Sequence, residues 1–355
     1  MTTEISTAAA DTPDSGFAAR FGAVVSSDAY GPQAAFPAQP PARIARGFVS
    51  PLADVGLLSV SGDEGAKFLH SQLTNDVKHL PEGEARWYGY CSPKGRLLAT
   101  FVGWRDAQGI ALALARPRIE PIRRRLSMFV LRAKARVLDR SASTCLFGAG
   151  GAAGAAALQR LGISAPASMG VVHGDGFSCV GLPAVIVDGA PCPRWLVAAQ
   201  DERADALWRA LAAELAPVSS SVWRWTEVLA AVPRIVEATA ELFVPQMLNF
   251  EVVGGVNFKK GCYPGQEIVA RSQYLGKLKR RMFVAHLAGA EPAPGSDVFP
   301  AAGGEPCGQV VMAAPSPAGG IDLLFESQTA ALEAGPPTSG GVPMALGELP
   351  YAMPG

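Results

Sequence analysis

The sequence predicts an α+β protein with a separate C-terminal β-domain, and three observations carry that prediction. Strand-like and helix-like segments are mixed without a regular βαβ rhythm, which argues against a doubly wound parallel sheet. Past Arg281 the chain becomes strand-like and rich in Gly and Pro (MFVAHLAG, PCGQVVMAA), the pattern of a small β-domain. A content of 49% hydrophobic and 17% charged residues in a chain of 355 marks a globular protein long enough for two or three cores.

In chain order, residues 1–42 are rich in Ala, Pro, Ser and Gly without apolar periodicity and read as a flexible leader. GLLSVSG from Gly56 reads as a strand, and Ala66, Phe68, Leu69 and Leu73 then follow at helical spacing. Trp87–Tyr90 and Leu97–Trp104 read as two strands joined by CSPKGR, whose Pro and Gly suit a tight hairpin. Ile110–Leu114 reads as a strand, Glu120–Val130 as a helix with Ile122, Leu126, Phe129 and Val130 on its apolar face, and Lys134–Leu138 as a strand. Ala149–Leu161 is read as a helix on alanine propensity alone. Strands are expected at Phe177–Val180, Ala184–Val187 and Trp195–Ala198, and a helix at Glu202–Leu215. The composition shift near residue 280 divides an α+β region, 43–279, from a C-terminal domain, 280–355.

Equal counts of 31 basic and 31 acidic residues give no global field, so an anionic partner needs a local patch. The clusters Arg116, Arg118, Arg123–Arg125 and Lys277, Lys279–Arg281 lack interleaved aromatics and read as solvated faces, so direct nucleic-acid binding is not expected. Six cysteines without a CxxC pair argue for a reducing compartment and against a structural zinc site, and the four histidines form no ligand pattern, so no metal is expected. Glu4, Asp11 and Asp14 contradict a secretory or mitochondrial signal, and no apolar run approaches a membrane span. A cytoplasmic protein is the expectation.

The densest segment is Phe258–Arg271, FKKGCYPGQEIVAR. Gly261 and Gly265 free the backbone to turn or to approach another group closely, and Pro264 presets the dihedral of a first helical residue, with QEIVAR as the helix opening. Cys262 then precedes a helix N-terminus, with Lys259 and Lys260 adding positive charge, a setting that favours a reactive thiolate. Gln266 and Glu267 either orient that thiol or cap the helix.

This run, with FVPQMLNFE (Phe243–Glu251), SQLTNDV (Ser71–Val77) and the CSPKGR hairpin, resembles folate-binding proteins of the YgfZ type, which belong with the glycine cleavage T-protein superfamily. The similarity spans about residues 50–285 with the motifs in order. The resemblance implies an α+β fold of three subdomains around a central folate-sized channel, closed by a C-terminal β-barrel. It implies tetrahydrofolate or another folate as cofactor. It also implies a role as accessory factor for iron-sulfur clusters of client enzymes, a tRNA-modifying radical enzyme among them, with iron-sulfur client or assembly proteins as partners. Cys262 is carried over as the functional thiol. Cofactor-binding roles fall on Trp223, Lys260, Gly261, Tyr263, Gly265, Gln266, Glu267 and Arg271. Trp225 offers a second candidate, which in a strand would face the same side as Trp223. Lys94 in the hairpin is placed to reach a folate tail. The chain departs from the family at Val55, where related proteins have a tryptophan. It departs again in VLAAVP (Val228–Pro233), where Leu229 takes the place of a folate-contacting glutamate and Glu227 and Glu237 are the acids at hand. The resemblance does not by itself imply an enzyme. The alternative reading is a tetrahydrofolate-dependent aminomethyltransferase of the T-protein type, against which stands Cys262 in place of that group's aspartate motif.

Overall fold

The computed structural model describes residues 13–274 and 278–354. Two antiparallel sheets face each other. The first runs, in spatial order, Ala85–Cys91, Leu97–Asp106, Gly109–Ala115, Val55–Ser61, Arg136–Asp139. The second runs Val171–Gly174, Phe177–Val187, Ala190–Gln200, Thr144–Gly150, Phe48–Pro51, Ala216–Pro217, with only the last pair parallel.

Strand alternation sorts side chains into layers. Val55, Leu57, Ala111 and Ala113 point from the first sheet into the central core, where Leu182, Leu196 and Trp223 meet them. Leu58, Val60, Leu112 and Leu114 point outward under the helices Gly65–His70 and Ile119–Val130. On the outer face of the second sheet, Cys145, Phe147 and Ala149 pack against helices Asp201–Ala212 and Gly154–Arg160. The two expected strands Phe177–Val180 and Ala184–Val187 are one strand with a register shift between Leu182 and Val185. The bulge switches parity, so that Val180 and Leu182 before it and Val185 and Val187 after it all face the central core.

A third sheet, Asp297–Val298, Gly308–Pro315, Ile321–Gln328, Arg280–Leu287, Val342–Leu346, Thr338–Ser339, curls into a barrel that a bridge from Phe299 to Thr338 nearly closes. Its first strand opens at Arg280, where the composition changes.

Three expectations need correction. Of the segment read as a leader, 1–12 lie outside the described residues, but 13–42 are packed. Helix Pro13–Arg20 buries Phe17 against Phe147 and Trp208, with ring centroids 6.1 and 5.6 Å apart. The hairpin Val24–Asp28/Gly31–Ala35 leads through a buried Tyr30, whose hydroxyl accepts from the Ala313 amide at 2.6 Å. Few apolar residues suffice there because Phe17, Ala18, Tyr30 and Ala34 are buried, while Val24 and Val25 stay exposed. Ala149–Leu161 is helical only over Gly154–Arg160; Thr144–Gly150 is a buried strand, its small residues serving close packing rather than helix propensity. Trp223 and Trp225 lie on helix Ser220–Leu229, so they face different ways: Trp225 donates its indole N–H to Asp322 of the barrel at 2.6 Å while Trp223 points into the central core.

Candidate functional site

Between the two sheets lies a slot of about 550 Å3, its opening included. Val55, Thr100, Val102 and Ala113 line it from the first sheet, Leu182, Arg194 and Leu196 from the second, Trp223 and Glu227 from the helix, and Val232, Pro233 and Arg234 from the loop after it. Trp223 and Glu227 are one helical turn apart and therefore share the inward face.

Trp223 fits because the strand opposite carries Gly148, where a Cβ would stand 2.2 Å from the indole. The Arg194 guanidinium lies over the same ring, 5.6 Å from its centroid. Arg194 is held by the carbonyl that the strand bulge exposes, donating from Nε and Nη2 to Pro183 O at 3.0 and 2.9 Å, and from Nη1 to Thr226 Oγ1 at 2.9 Å. Burial lowers its pKa to about 10, with the Glu227 charge opposing.

The helix ends in a left-handed residue, Ala231 (φ 48°), whose amide bonds to Val228 O while Val232 bonds to Glu227 O. That turn sends Pro233 and Arg234 back over the slot. Arg234 donates to the fully buried Asp54 carboxylate at 2.6 Å and lies 3.2 Å from Glu227 Oε2. Glu227 Oε2 makes no hydrogen bond of acceptable geometry, and neither does Arg234 Nε. Burial, foremost, raises the Glu227 pKa, with the Arg234 charge pulling the other way. The slot thus presents an aromatic wall under a cation and a carboxylate oxygen with unused acceptor capacity.

A second groove, lined by Asn75, Asp76, His79, Arg86, Trp87 and Asn257 among others, meets the slot at Trp87, which lines both. Asn75 ties its floor together by donating to Trp87 O at 3.0 Å and Gly254 O at 2.7 Å. Asp76 receives Nδ1 of His70 at 3.0 Å and Nδ1 of His79 at 2.8 Å. Its pKa is lowered to about 2: burial opposes this, and hydrogen bonds from the His79 amide and ring outweigh it.

The signature loop sits beyond that groove. Lys260 is buried, its ammonium donating to the carbonyls of His70 and of Leu73 (2.7 Å for the latter) and lying 4.7 Å from the centroid of the buried Tyr263 ring. Burial lowers its pKa to about 8, with the charges of Asp76 and Cys262 opposing. Cys262 is exposed, whereas Cys91, Cys145, Cys179, Cys192 and Cys307 are buried. Among the described residues no group of three or more His, Cys, Asp or Glu is placed to hold a metal ion.

Against curated relatives, the chain is 32% identical over 240 residues to tRNA-modifying protein YgfZ of Photobacterium profundum, covering 66% of this chain and 68% of that one. It is 30% identical over 236 residues to the protein of the same name from Vibrio vulnificus, with 66% and 68% covered, and 29% identical over 248 residues to that of Escherichia coli, with 70% and 74% covered. The chain belongs to the YgfZ family. No protein-family model matches it. Its fold is that of glycine cleavage system aminomethyltransferase T from Bartonella henselae, with a TM-score of 0.77 over 96% of this chain and 97% of that one; at 16% identity the likeness concerns fold alone.

In this YgfZ-family chain the residues expected to form one site fall into two groups. Of those assigned to cofactor binding, only Trp223 lines the slot; Lys260, Gly261, Tyr263, Gly265, Gln266, Glu267 and Arg271 do not. Lys260 and Tyr263 are buried beneath the loop, while Gly261, Glu267 and Arg271 are exposed. Gly265 (φ 78°) is where glycine is required, since a Cβ would lie 2.4 Å from Ser92 O of the CSPKGR hairpin; a Cβ on Gly261 would meet His70 Nε2 at 3.8 Å, an ordinary contact. The helix begins at Gln266, so Cys262 precedes it by a full turn instead of abutting its N-terminus. Lys94 is exposed on the hairpin and lines neither cavity. Glu237 pairs with Arg118 at 2.5 Å, which leaves Glu227 as the acid of the slot. The arginine clusters are engaged within the molecule, Arg123 and Arg124 with Glu120, Arg280 with Glu326 and Arg281 with Glu251; Lys277 lies outside the described residues.

Sequence reading missed Arg194, Arg234, Asp54 and the gathering of His70 and His79 on Asp76. Arg194 had a signal, because it shares inward parity with Cys192 and Leu196 on an apolar strand where a charge is rarely buried without a task. The histidine pair had none, for a loop rather than a period joins them.

Proposed function

We propose that this chain binds a folate, with the pterin in the slot between the sheets, and supports iron-sulfur client enzymes, including ones that modify tRNA, through the exposed Cys262 thiol. The observation that carries the folate reading is the pairing of the Trp223 wall with a Glu227 oxygen that is ion-paired to Arg234 but accepts no hydrogen bond of acceptable geometry. A pterin is a flat ring with adjacent amino and ring N–H donors on one edge, and a carboxylate is the acceptor that takes both. Trp223 and Pro233 would hold the ring faces, and Arg194 would fix the tryptophan. Past Trp87, the Arg86 guanidinium in the outer groove is the cation for a glutamate tail. When bound, a reduced folate supplies a one-carbon acceptor. The names of the relatives and the T-protein-like fold support the reading.

The thiol stands on the outer face, where a protein client reaches it, and a single exposed cysteine suits transient contact with a cluster, a persulfide or an oxidised client sulfur rather than resident cluster ligation. Two assays test the two halves. Titration with 5-formyltetrahydrofolate, followed by tryptophan quenching, is expected to saturate in the wild type and to fail for Trp223→Ala; equal binding by both would remove the slot assignment. A deletion strain carrying Cys262→Ala is expected to lose activity of cluster-dependent enzymes, and full rescue would leave the thiol without a role. Turnover of a lipoyl-bound aminomethyl donor would favour the transferase reading instead.

A further inference from the structure

The geometry points to His70, held by Asp76, as the proton acceptor of Cys262. This rests on the reading of Cys262 as the functional thiol and adds the groups that prepare it. Helix Gly65–His70 ends at the imidazole, and the turn after it returns Asp76 to that ring. Nδ1 of His70 lies 3.0 Å from Asp76 Oδ1, and a carboxylate held ionised fixes the proton on Nδ1. The Lys78 amide, 3.4 Å from the same nitrogen, is at the limit of a hydrogen bond and competes poorly with an ionised partner.

Nε2 is then the lone-pair nitrogen, and it faces the signature loop, 3.8 Å from the position a Cβ would take on Gly261. Cys262 is the next residue. Glycine at 261 leaves the space between ring and loop open, since nothing else comes within 4 Å of that position. Lys260 fastens the loop to the same helix end by donating to the His70 carbonyl, so thiol and imidazole are anchored to one point of the backbone.

The step is a proton transfer. The S–H bond breaks, the proton passes to Nε2, and a thiolate is left beside an imidazolium whose Nδ1–H stays on Asp76. Nothing is oxidised and no co-reactant is consumed. The charged and titratable groups facing His70 are Asp76 and His79 from its own turn and Lys260 from the loop packed on it, and Lys260 in turn interacts with Cys262. Asp76 favours the imidazolium; Lys260 opposes it but draws the thiolate. His79, whose ring centroid is 6.3 Å from that of His70, holds the second Asp76 oxygen.

The test is the rate of iodoacetamide modification of Cys262 in the full-length protein, read peptide by peptide across pH; the other five thiols are buried and serve as internal controls. His70→Gln is expected to slow the reaction about tenfold near neutral pH and to leave the rate unchanged where any thiol is ionised, roughly two units above the ordinary thiol value. Asp76→Asn is expected to slow it in the same pH-dependent way. A His70→Gln profile that superimposes on wild type, or one lowered equally at all pH, would overturn the assignment. Should His70→Gln fail to fold, the reciprocal coupling decides: the His70 ring titration, followed by NMR, moves in Cys262→Ser if the two groups share a proton and stays in place if they do not. The assay needs neither folate nor client, so full client rescue by Cys262→Ala alongside an intact His70 dependence of alkylation would sink the proposed function and spare the dyad.

Discussion

The slot and the signature loop are built on opposite principles. In the slot, charged groups are buried and anchored: Arg194 by a bulge carbonyl and Thr226, Arg234 by Asp54, Trp223 by a glycine cut to its shape. In the loop, the Cys262 thiol is exposed, and the buried residues Lys260 and Tyr263 shape the base of the loop. The contrast separates the recognition proposed for the slot from the chemistry proposed for the loop. On that proposal the slot holds its ligand whether or not the thiol is present, and the loop meets its partner whether or not the slot is filled. One structural thread between them runs from Trp87 to Asp76 and His70.

Substitutions in the slot are expected to have the larger effects. Arg234→Ala leaves Asp54 buried without its closest cation and should cost about 3–5 kcal/mol in urea denaturation; a loss under about 1 kcal/mol would mean that water already reaches the pair. Trp223→Ala should cost roughly 3–5 kcal/mol as well as folate binding. Glu227→Gln is milder on stability but should weaken folate affinity by roughly 10- to 100-fold, the worth of a charge-assisted hydrogen bond.

Glu227 also sets a pH signature. Its folded pKa is raised, so above the ordinary carboxylate value the native state binds more protons than the unfolded chain, and its contribution to stability falls as pH rises through the raised value. Glu227→Gln should flatten that part of the stability profile, and folate affinity should weaken as acid protonates the acceptor; an affinity flat across that range would place the pterin edge elsewhere. Next in size, Ala231→Gly relieves a left-handed alanine and should stabilise by about 1 kcal/mol, read as a raised Tm. The smallest effect belongs to Cys262→Ala, which should leave Tm and folate affinity unchanged because the side chain is exposed and lies off the slot. A large shift in either would merge the two regions that the structure separates.

The layered sheets were legible in the sequence where alternation is strong, as at Val55–Ser61 and Gly109–Ala115, and the barrel where composition shifts at Arg280. Helix Ser220–Leu229 was not, since two tryptophans at i and i+2 imitate a strand face and only the fold reveals that they diverge. Of the site, the loop was legible because glycine, cysteine and lysine are dense there. The slot was legible only at Trp223 and Glu227, because Asp54, Arg194 and the stretch from Glu227 to Arg234 come from three separate segments and converge only in space. Motif density marked a backbone that must turn against the CSPKGR hairpin at Gly265 and hold Lys260 under the loop, not the residues that line the cavity.

The most direct test of the separation is a crystal structure of the full-length protein with 5-formyltetrahydrofolate. The account predicts the pterin against Trp223, its donor edge on the Glu227 carboxylate, with Cys262 outside the contact. A pterin seated beside Cys262, with Trp223 and Glu227 untouched, would contradict it.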